Sequence, residues 1–353
     1  MDHYKNQVKT SVKFLLKTAA VAIAIVLVII PQTSCASKSA EPVEKQSYYL
    51  DTICTISVFD MKGGMTKAKA EKAIDATFDE CRRLDKMLSP NGEASDIYRI
   101  NQAHGAPVQV SEETAKILKS GIKYGELSDG AFDITIGGVT SLWDFHSDSP
   151  KVPDPNELAS AVAHVDYHNL EVDGTTVVLK DPQAQVDVGG LAKGYISDVV
   201  ADELENRGVT SAIVNLGGNI VAVGEKPGGK KFNIGIEKPY SERTDLIAET
   251  KVANKNVITS GVYERMFKAN GKVYHHVLDP KTGYPVVTDL DSATIVGSRG
   301  KSMDADALST ICLIKGSTAA KDLIEGMKGY EGLFCTSDGT ITMTSGMKAK
   351  KVK

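Results

Sequence analysis

The stretch Val186-Asp187-Val188-Gly189-Gly190-Leu191-Ala192-Lys193-Gly194-Tyr195 carries the decisive reading of the chain. Two valines flank one acid and run straight into paired glycines, after which the spacing turns helical as far as Arg207, where Gly208 supplies a stop. The pattern predicts a strand over residues 185–188, a tight turn, and a helix over residues 194–207. Glycines at such a turn let backbone N–H and C=O groups approach a phosphate or a metal ion closely, and a helix start favours an anion. The stretch is neither a Walker A sequence nor a G-x-G-x-x-G fingerprint. Alone, it reads equally well as an ordinary strand-to-helix turn.

On either side of it, strands and helices mix. Residues 48–59 alternate and are rich in Thr, Ile and Val, which predicts a strand. Residues 67–88 place Ile74, Phe78, Cys81, Leu84 and Leu88 on one helical face. A second helix is expected over residues 112–128, with Ser111 as N-cap and Ala115, Leu118 and Ile122 turned inward. The Pro-, Asp- and Ser-rich residues 147–156 read as a surface loop leading into a short helix, and residues 175–179 as a strand. Downstream, strands are expected over residues 212–223, 231–237, 251–259 and 291–296, and helices over 304–314 and 319–327. A hairpin over residues 332–344 turns at Asp338-Gly339. There is no regular βαβ rhythm, so the fold class is α+β, with mixed strands and helices in one large domain spanning residues 48–353.

The chain has 353 residues, of which 42% are hydrophobic and 24% charged, enough for a real core and against disorder. A net charge of −4 gives no electrostatic reason to expect nucleic acid as a partner. The basic cluster Lys348, Lys350, Lys351 and Lys353 reads as a solvated tail. At the other end, Lys5, Lys9, Lys13 and Lys17 precede an unbroken apolar run over residues 19–30, then Pro31-Gln32-Thr33-Ser34-Cys35. That is the shape of an export signal, since a spanning helix usually needs ~20 apolar residues. Cys35 after small residues is similar to a bacterial lipobox, although Gln32 stands where Leu is usual. Residues 1–34 are therefore expected to be a signal peptide, Cys35 a lipid attachment point, and residues 35–47 a polar tether. The alternative is an uncleaved signal anchor. Both readings put the domain at the cell membrane, facing outside the cytoplasm. Cys54, Cys81, Cys312 and Cys335 make no C-x-x-C pair and read as buried thiols.

Three further stretches depart from plain core and surface. In Asp304-Ala305-Asp306-Ala307-Leu308-Ser309-Thr310, Asp306 and Thr310 are four apart on one helical face, and a carboxylate with a hydroxyl suits Mg²⁺. A capped helix with solvated acids would look the same. In Tyr274-His275-His276-Val277-Leu278-Asp279-Pro280-Lys281-Thr282-Gly283, adjacent histidines point to opposite sides of a strand, so one at most enters a given site, and no zinc-type spacing is present. Gly130-Ala131-Phe132-Asp133-Ile134-Thr135, followed by Leu142-Trp143-Asp144-Phe145, suits the wall of a flat-ring site or a simple aromatic cluster.

Taken in order, these stretches resemble the ApbE family of FAD:protein FMN transferases. The resemblance runs from about Tyr48 to the C-terminus. It rests on Ser89, Ser95-Asp96 and Asn101, on Gly130 to Thr135, on Val186 to Tyr195 and on Asn215-Leu216-Gly217-Gly218-Asn219. It continues through Thr259-Ser260-Gly261-Val262-Tyr263-Glu264-Arg265, His276 to Gly283 and Ala305 to Thr310. One ApbE-like (T-fold-like) domain is implied. The resemblance assigns Asp306, Thr310 and the Gly190 backbone carbonyl to Mg²⁺. It assigns Asp187, Lys193, Leu50, Ala131, Phe132, Asp133 and Leu278 to FAD, and His276 to catalysis. Asn91 stands where many members carry a Tyr that packs on the flavin nucleotide, a change expected to tilt the outcome towards hydrolysis.

The activity implied is Mg²⁺-dependent transfer of FMN from FAD to a threonine or serine hydroxyl of an exported acceptor protein, with AMP released. Such an acceptor would be a redox-protein subunit or an extracellular electron-transfer lipoprotein. Two competitors stand beside this: a Mg²⁺-dependent FAD pyrophosphatase giving FMN and AMP, and a flavin-binding lipoprotein without chemistry. Intact Asp306, Thr310 and His276 argue against storage alone, because binding needs neither a metal nor a base.

Overall fold

The computed structural model describes residues 41–145, 147, 149–241 and 245–352. In chain order the strands are β1 Val43–Tyr49, β2 Thr52–Met61, β3 Val108–Gln109, β4 Leu170–Asp173, β5 Thr176–Leu179, β6 Val209–Leu216, β7 Asn219–Gly224 and β8 Phe232–Glu237. They continue with β9 Leu246–Val252, β10 Lys255–Gly261, β11 Met266–Ala269, β12 Lys272–His275, β13 Leu290–Ser298, β14 Glu331–Thr336, β15 Ile341–Met343 and β16 Ala349–Lys351. The helices are α1 Lys67–Leu88, α2 Asp96–Asn101, α3 Glu112–Ser128, α4 Gly137–Trp143, α5 Pro155–Val162, α6 Gly189–Asn206, α7 Ser302–Lys315 and α8 Ser317–Glu325.

The centre is an antiparallel eight-stranded sheet in the order β1-β2-β6-β7-β10-β13-β14-β15. One face carries α1, α3, α6, α7 and α8, whose apolar sides merge with Ile56, Val214, Ile258 and Ile295 into the main core. On the other face, Phe232, Ile234 and Val252 of the small sheet β16-β9-β8 cover Ala222, Val257 and Val296. Each fully buried Leu, Ile or Phe in these layers contributes roughly 1.5–3 kcal/mol relative to exposure. The fold is α+β, as the mixed pattern implies.

Helix limits follow local chemistry. Thr66 caps α1 and Ser111 caps α3, each accepting a backbone N–H with its hydroxyl. The helices α6 and α7 cross at Gly194, where an added Cβ would lie 2.4 Å from Ser302 O. Only glycine permits that approach.

Several expected elements differ. Residues 48–59 form two strands, not one, because Leu50 and Asp51 both take φ 54° and turn the chain. Residues 212–223 are split by Gly217-Gly218 and residues 251–259 by Asn254, again with positive φ. β1 begins at Val43, inside the stretch expected to be tether. Residues 185–188 join no sheet and make only a parallel bridge from Gln185 to Ile136. The helix beyond them starts at Gly189 rather than 194, because Asp187 Oδ1 accepts the Gly189 N–H at 2.7 Å and secures its first turn. The signal segment, the lipobox and Cys35 lie outside the described residues.

Candidate active site

The start of α6, the start of α7 and the loop at residues 130–135 converge on one place. Asp306, on α7, is 2% exposed, and its Oδ2 accepts the Gly194 N–H of α6 at 2.8 Å. Burial raises its pKa, while the Lys193 charge and the Gly194 N–H pull the other way. One turn on, Thr310 Oγ1 lies 3.3 Å from the Asp306 carbonyl. A Cβ placed on Gly190 would lie 3.8 Å from Thr310 Oγ1 and 2.7 Å from the Phe132 ring. The three residues assigned to a metal, and Phe132, are thus brought together from distant parts of the chain.

Asn219, at the start of β7, is fully buried, and its amide makes no hydrogen bond of ordinary geometry. It still lies close enough to Asp306 to favour the charged carboxylate. An orphaned amide beside a buried acid is costly unless something else satisfies it. A carboxylate, a hydroxyl, a backbone carbonyl and an unsatisfied amide oxygen form an oxygen-donor set, which fits Mg²⁺ with part of its shell left to water and phosphate. No cluster of three or more His, Cys, Asp or Glu occurs among the described residues. Ser309 supports α7 from behind, donating to Asp306 O at 2.8 Å and meeting Ser260 Oγ of β10 at 2.7 Å.

His276 follows β12 directly. Burial, aided by the positive charges of Arg265 and Lys193, pushes its pKa down to about 3, so the ring is neutral at pH 7. Its Nδ1 lies 3.3 Å from Arg265 O. A carbonyl only accepts, so this contact selects the Nδ1–H form and leaves Nε2 with a free lone pair. Glu264 belongs to the same group. It is exposed, yet desolvation raises its pKa, with Lys193 and Arg265 opposing and Asp306 adding to the rise. Lys193 is the common neighbour of Asp306, Glu264 and His276.

The remaining assigned residues are placed differently. Asp187 joins α6 to α4, accepting Gly189 N–H through Oδ1 and Thr140 Oγ1 at 2.9 Å through Oδ2. Asp133 is buried and accepts from Thr135 N, Thr135 Oγ1 and Tyr167 N at 2.8, 2.6 and 2.9 Å, so its carboxylate holds the loop together. Ala131 is half-buried beside it. Leu278 sits in a satellite cluster with Val139, Trp143 and Leu158. Leu50 packs on the main core at the β1–β2 turn, and a Cβ on neighbouring Gly217 would lie 2.5 Å from Thr52. That turn therefore shares the end of the sheet where Asn219 begins β7. Asn91 is exposed beyond α1, its backbone N–H on Ser89 Oγ at 3.1 Å, and no described contact joins it to the central group. Glu264 and Asn219 carried no assigned role in the sequence, although the Thr259–Arg265 and Asn215–Asn219 stretches had marked their neighbourhoods.

Two open grooves border other faces. One of about 510 Å³ runs beside Lys116, Lys119 and Lys123 of α3, and one of about 560 Å³ opens along the 130–135 loop, lined by Gly130, Asp133, Asp166, His168 and Lys281. Neither contains Asp306, Lys193 or His276. Buried charges held together mark function better than concavity alone.

The ApbE family profile matches residues 50–334. A Treponema pallidum protein named FAD:protein FMN transferase is 32% identical over 314 residues, covering 84% of this chain and 85% of its own. A Klebsiella pneumoniae protein of the same name is 32% identical over 278 residues, covering 78% and 85%. The crystal structure of the Thermotoga maritima ApbE protein superposes with a TM-score of 0.78 at 29% identity, over 86% of this chain and 97% of that one. The Pseudomonas stutzeri flavinyl transferase ApbE, in its apo form, gives 0.74 at 28% identity over 86% and 95%. With the profile and the relatives spanning nearly all the described domain, the chain belongs to the ApbE family.

Proposed function

We propose that this chain is an FAD:protein FMN transferase, an enzyme that takes FMN from its substrate FAD and attaches it to a protein. The finer reading is that the acceptor group is a threonine or serine hydroxyl on an exported protein, that AMP leaves, and that Mg²⁺ is held by Asp306, Thr310 and the Gly190 carbonyl. The observation that supports it most is the buried Asp306, fixed by the Gly194 N–H, beside Lys193 and within the same charged group as a neutral His276.

The chemistry is substitution at the FMN-side phosphorus of FAD. A bond forms from the acceptor hydroxyl oxygen to phosphorus, and the phosphorus–oxygen bond to AMP breaks. Lys193, near the positive start of α6, binds the pyrophosphate and orients it. His276 Nε2 takes the hydroxyl proton as the new bond forms. Its low pKa belongs to a ring facing cations; two phosphate charges beside it make it a stronger base. Mg²⁺, when bound, supplies positive charge that offsets the charge developing on the leaving phosphate. Water in place of the hydroxyl gives FMN and AMP, and exposed Asn91 favours that outcome because an amide offers a flavin ring little stacking area.

Residues 1–34 and Cys35 suit a lipid-anchored enzyme outside the cytoplasm, where exported redox proteins would meet it. The test of the metal-dependent step is FAD turnover by the full chain with Mg²⁺ and then with chelator. AMP appearing only with Mg²⁺ supports the reading; intact FAD in both arms overturns it.

A further inference from the structure

We infer that Asp198 is a positioning residue for the helix proposed to hold the metal: it caps the start of α7 from the neighbouring helix α6 and so fixes where Asp306 and Thr310 stand. This rests on the transferase reading and its Mg²⁺ site.

The start of α7 has no cap of its own. Lys301, the residue before it, makes no side-chain cap hydrogen bond. The first N–H groups of a helix find no partner within the helix, and a buried one left unmet is costly. Ser302 is fully buried, so bulk water does not meet that need. Asp198 does. Its Oδ2 accepts the Ser302 N–H at 2.8 Å and its Oδ1 the Ser302 hydroxyl at 2.6 Å. Burial raises its pKa, and the bonds from Ser302 and from the Met303 N–H oppose that rise. A carboxylate here also faces the positive end of α7.

The placement makes this cap more than a local fastening. Residues four apart share one helical face, about 6 Å apart along the axis. Gly190, Gly194 and Asp198 follow that spacing on α6, and Ser302, Asp306 and Thr310 follow it on α7. The two rows meet as three rungs running in opposite directions. A Cβ on Gly190 would lie 3.8 Å from Thr310 Oγ1, the Gly194 N–H reaches Asp306 Oδ2 at 2.8 Å, and Asp198 takes Ser302. The first two rungs carry the proposed Mg²⁺ ligands. The third carries none, and it fixes the slide and rotation of α7 against α6 for the other two. Asp304 separately accepts from the Tyr124 and Tyr330 hydroxyls, contacts that keep α7 attached when Asp198 is changed.

The test compares the full-chain enzyme with Asp198→Ala, Asp198→Asn and Thr66→Ala, the last removing the hydroxyl cap of α1, a helix without proposed ligands. Each Ala variant loses one N-cap and should lose a few degrees of Tm. Two quantities are read: hydrogen exchange of the α7 amides without FAD or metal, and the Mg²⁺ concentration giving half-maximal AMP release from FAD. Asp198→Ala is expected to open the Ser302 and Met303 amides to exchange. It should also raise the half-saturating Mg²⁺ about tenfold, the scale for losing a group that orients metal ligands. Thr66→Ala should change neither quantity. Asp198→Asn keeps an acceptor for the Ser302 N–H and should recover part of the Mg²⁺ dependence. If Asp198→Ala does not fold, Ser302→Ala replaces it, and the loss of one hydrogen bond should raise half-saturating Mg²⁺ about threefold. Four results each overturn the positioning role: unchanged half-saturation whatever the maximal rate, an equal shift in Thr66→Ala, no recovery in Asp198→Asn, or unaltered exchange in α7. Absence of Mg²⁺-dependent AMP release from the unaltered enzyme instead sinks the transferase reading, and the role of Asp198 with it.

Discussion

Replacing Gly194 by alanine puts a methyl carbon 2.4 Å from Ser302 O and 2.7 Å from Met303 Cα, both backbone atoms that no rotamer change can move aside. An ordinary contact needs about 3.4 Å, so α6 and α7 must part by roughly 1 Å. Overpacking of that size costs about 1–3 kcal/mol, and the better helix propensity of alanine returns up to ~1 kcal/mol. The net loss of about 1–2 kcal/mol lowers Tm by only a few degrees in a domain of this size. The functional loss should be far larger, because Gly194 N–H is the group that fixes Asp306. A displacement near 1 Å at a reacting site costs on the order of a hundredfold in rate. The assay is AMP release from FAD, with Tm measured on the same preparation, and Gly138→Ala as control because nothing lies within 4 Å of a Cβ there. A Gly194→Ala enzyme with full activity and unchanged Tm would refute the claim that the helix crossing positions the site.

Asp306→Asn keeps an oxygen for the Gly194 N–H but removes the charge, so AMP release should fall at least a hundredfold while Tm moves by a few degrees at most; normal turnover with Mg²⁺ would contradict the assignment. His276 has a folded pKa near 3 against about 6.5 unfolded, so the unfolded chain binds the extra proton between those values. Its contribution to stability is fully present above pH 6.5 and is lost as pH falls towards 3. His276→Gln should therefore flatten the acid side of the Tm-against-pH curve, and parallel curves for the two proteins would show that the ring is not held neutral. Asn91→Tyr should lower acceptor-free AMP release at matched FAD saturation without abolishing transfer; equal hydrolysis by both proteins would remove Asn91 from the partition between water and acceptor.

The helices were the most legible part of the fold. α1 and α3 announce themselves through apolar spacing and, for α3, the Ser111 cap. Strand boundaries were harder, because turns at Leu50-Asp51 and Asn254 use left-handed residues that carry no glycine or proline signal. The start of α6 was hidden by the glycines themselves, which are poor helix formers and here depend on the side chain of Asp187. At the site, Asp306, Thr310, Gly190 and Lys193 could be singled out because two motifs carried them. Asn219 and Glu264 could not, since their proximity to Asp306 arises only when β7 and the segment after β10 are folded against α7. The resemblance assigns Asp133 and Asp187 to FAD, and only the fold shows their oxygens taken up by Thr135, Tyr167, Thr140 and Gly189.

The most direct test of transfer as against hydrolysis counts two products in one tube. Full-chain enzyme, FAD, Mg²⁺ and a candidate acceptor domain are incubated, AMP is quantified, and the acceptor is weighed intact. The account predicts one FMN gained by the acceptor for each AMP released above the acceptor-free rate, and no gain when the acceptor threonine is replaced by valine. AMP and free FMN accumulating while every acceptor tested keeps its original mass would contradict it.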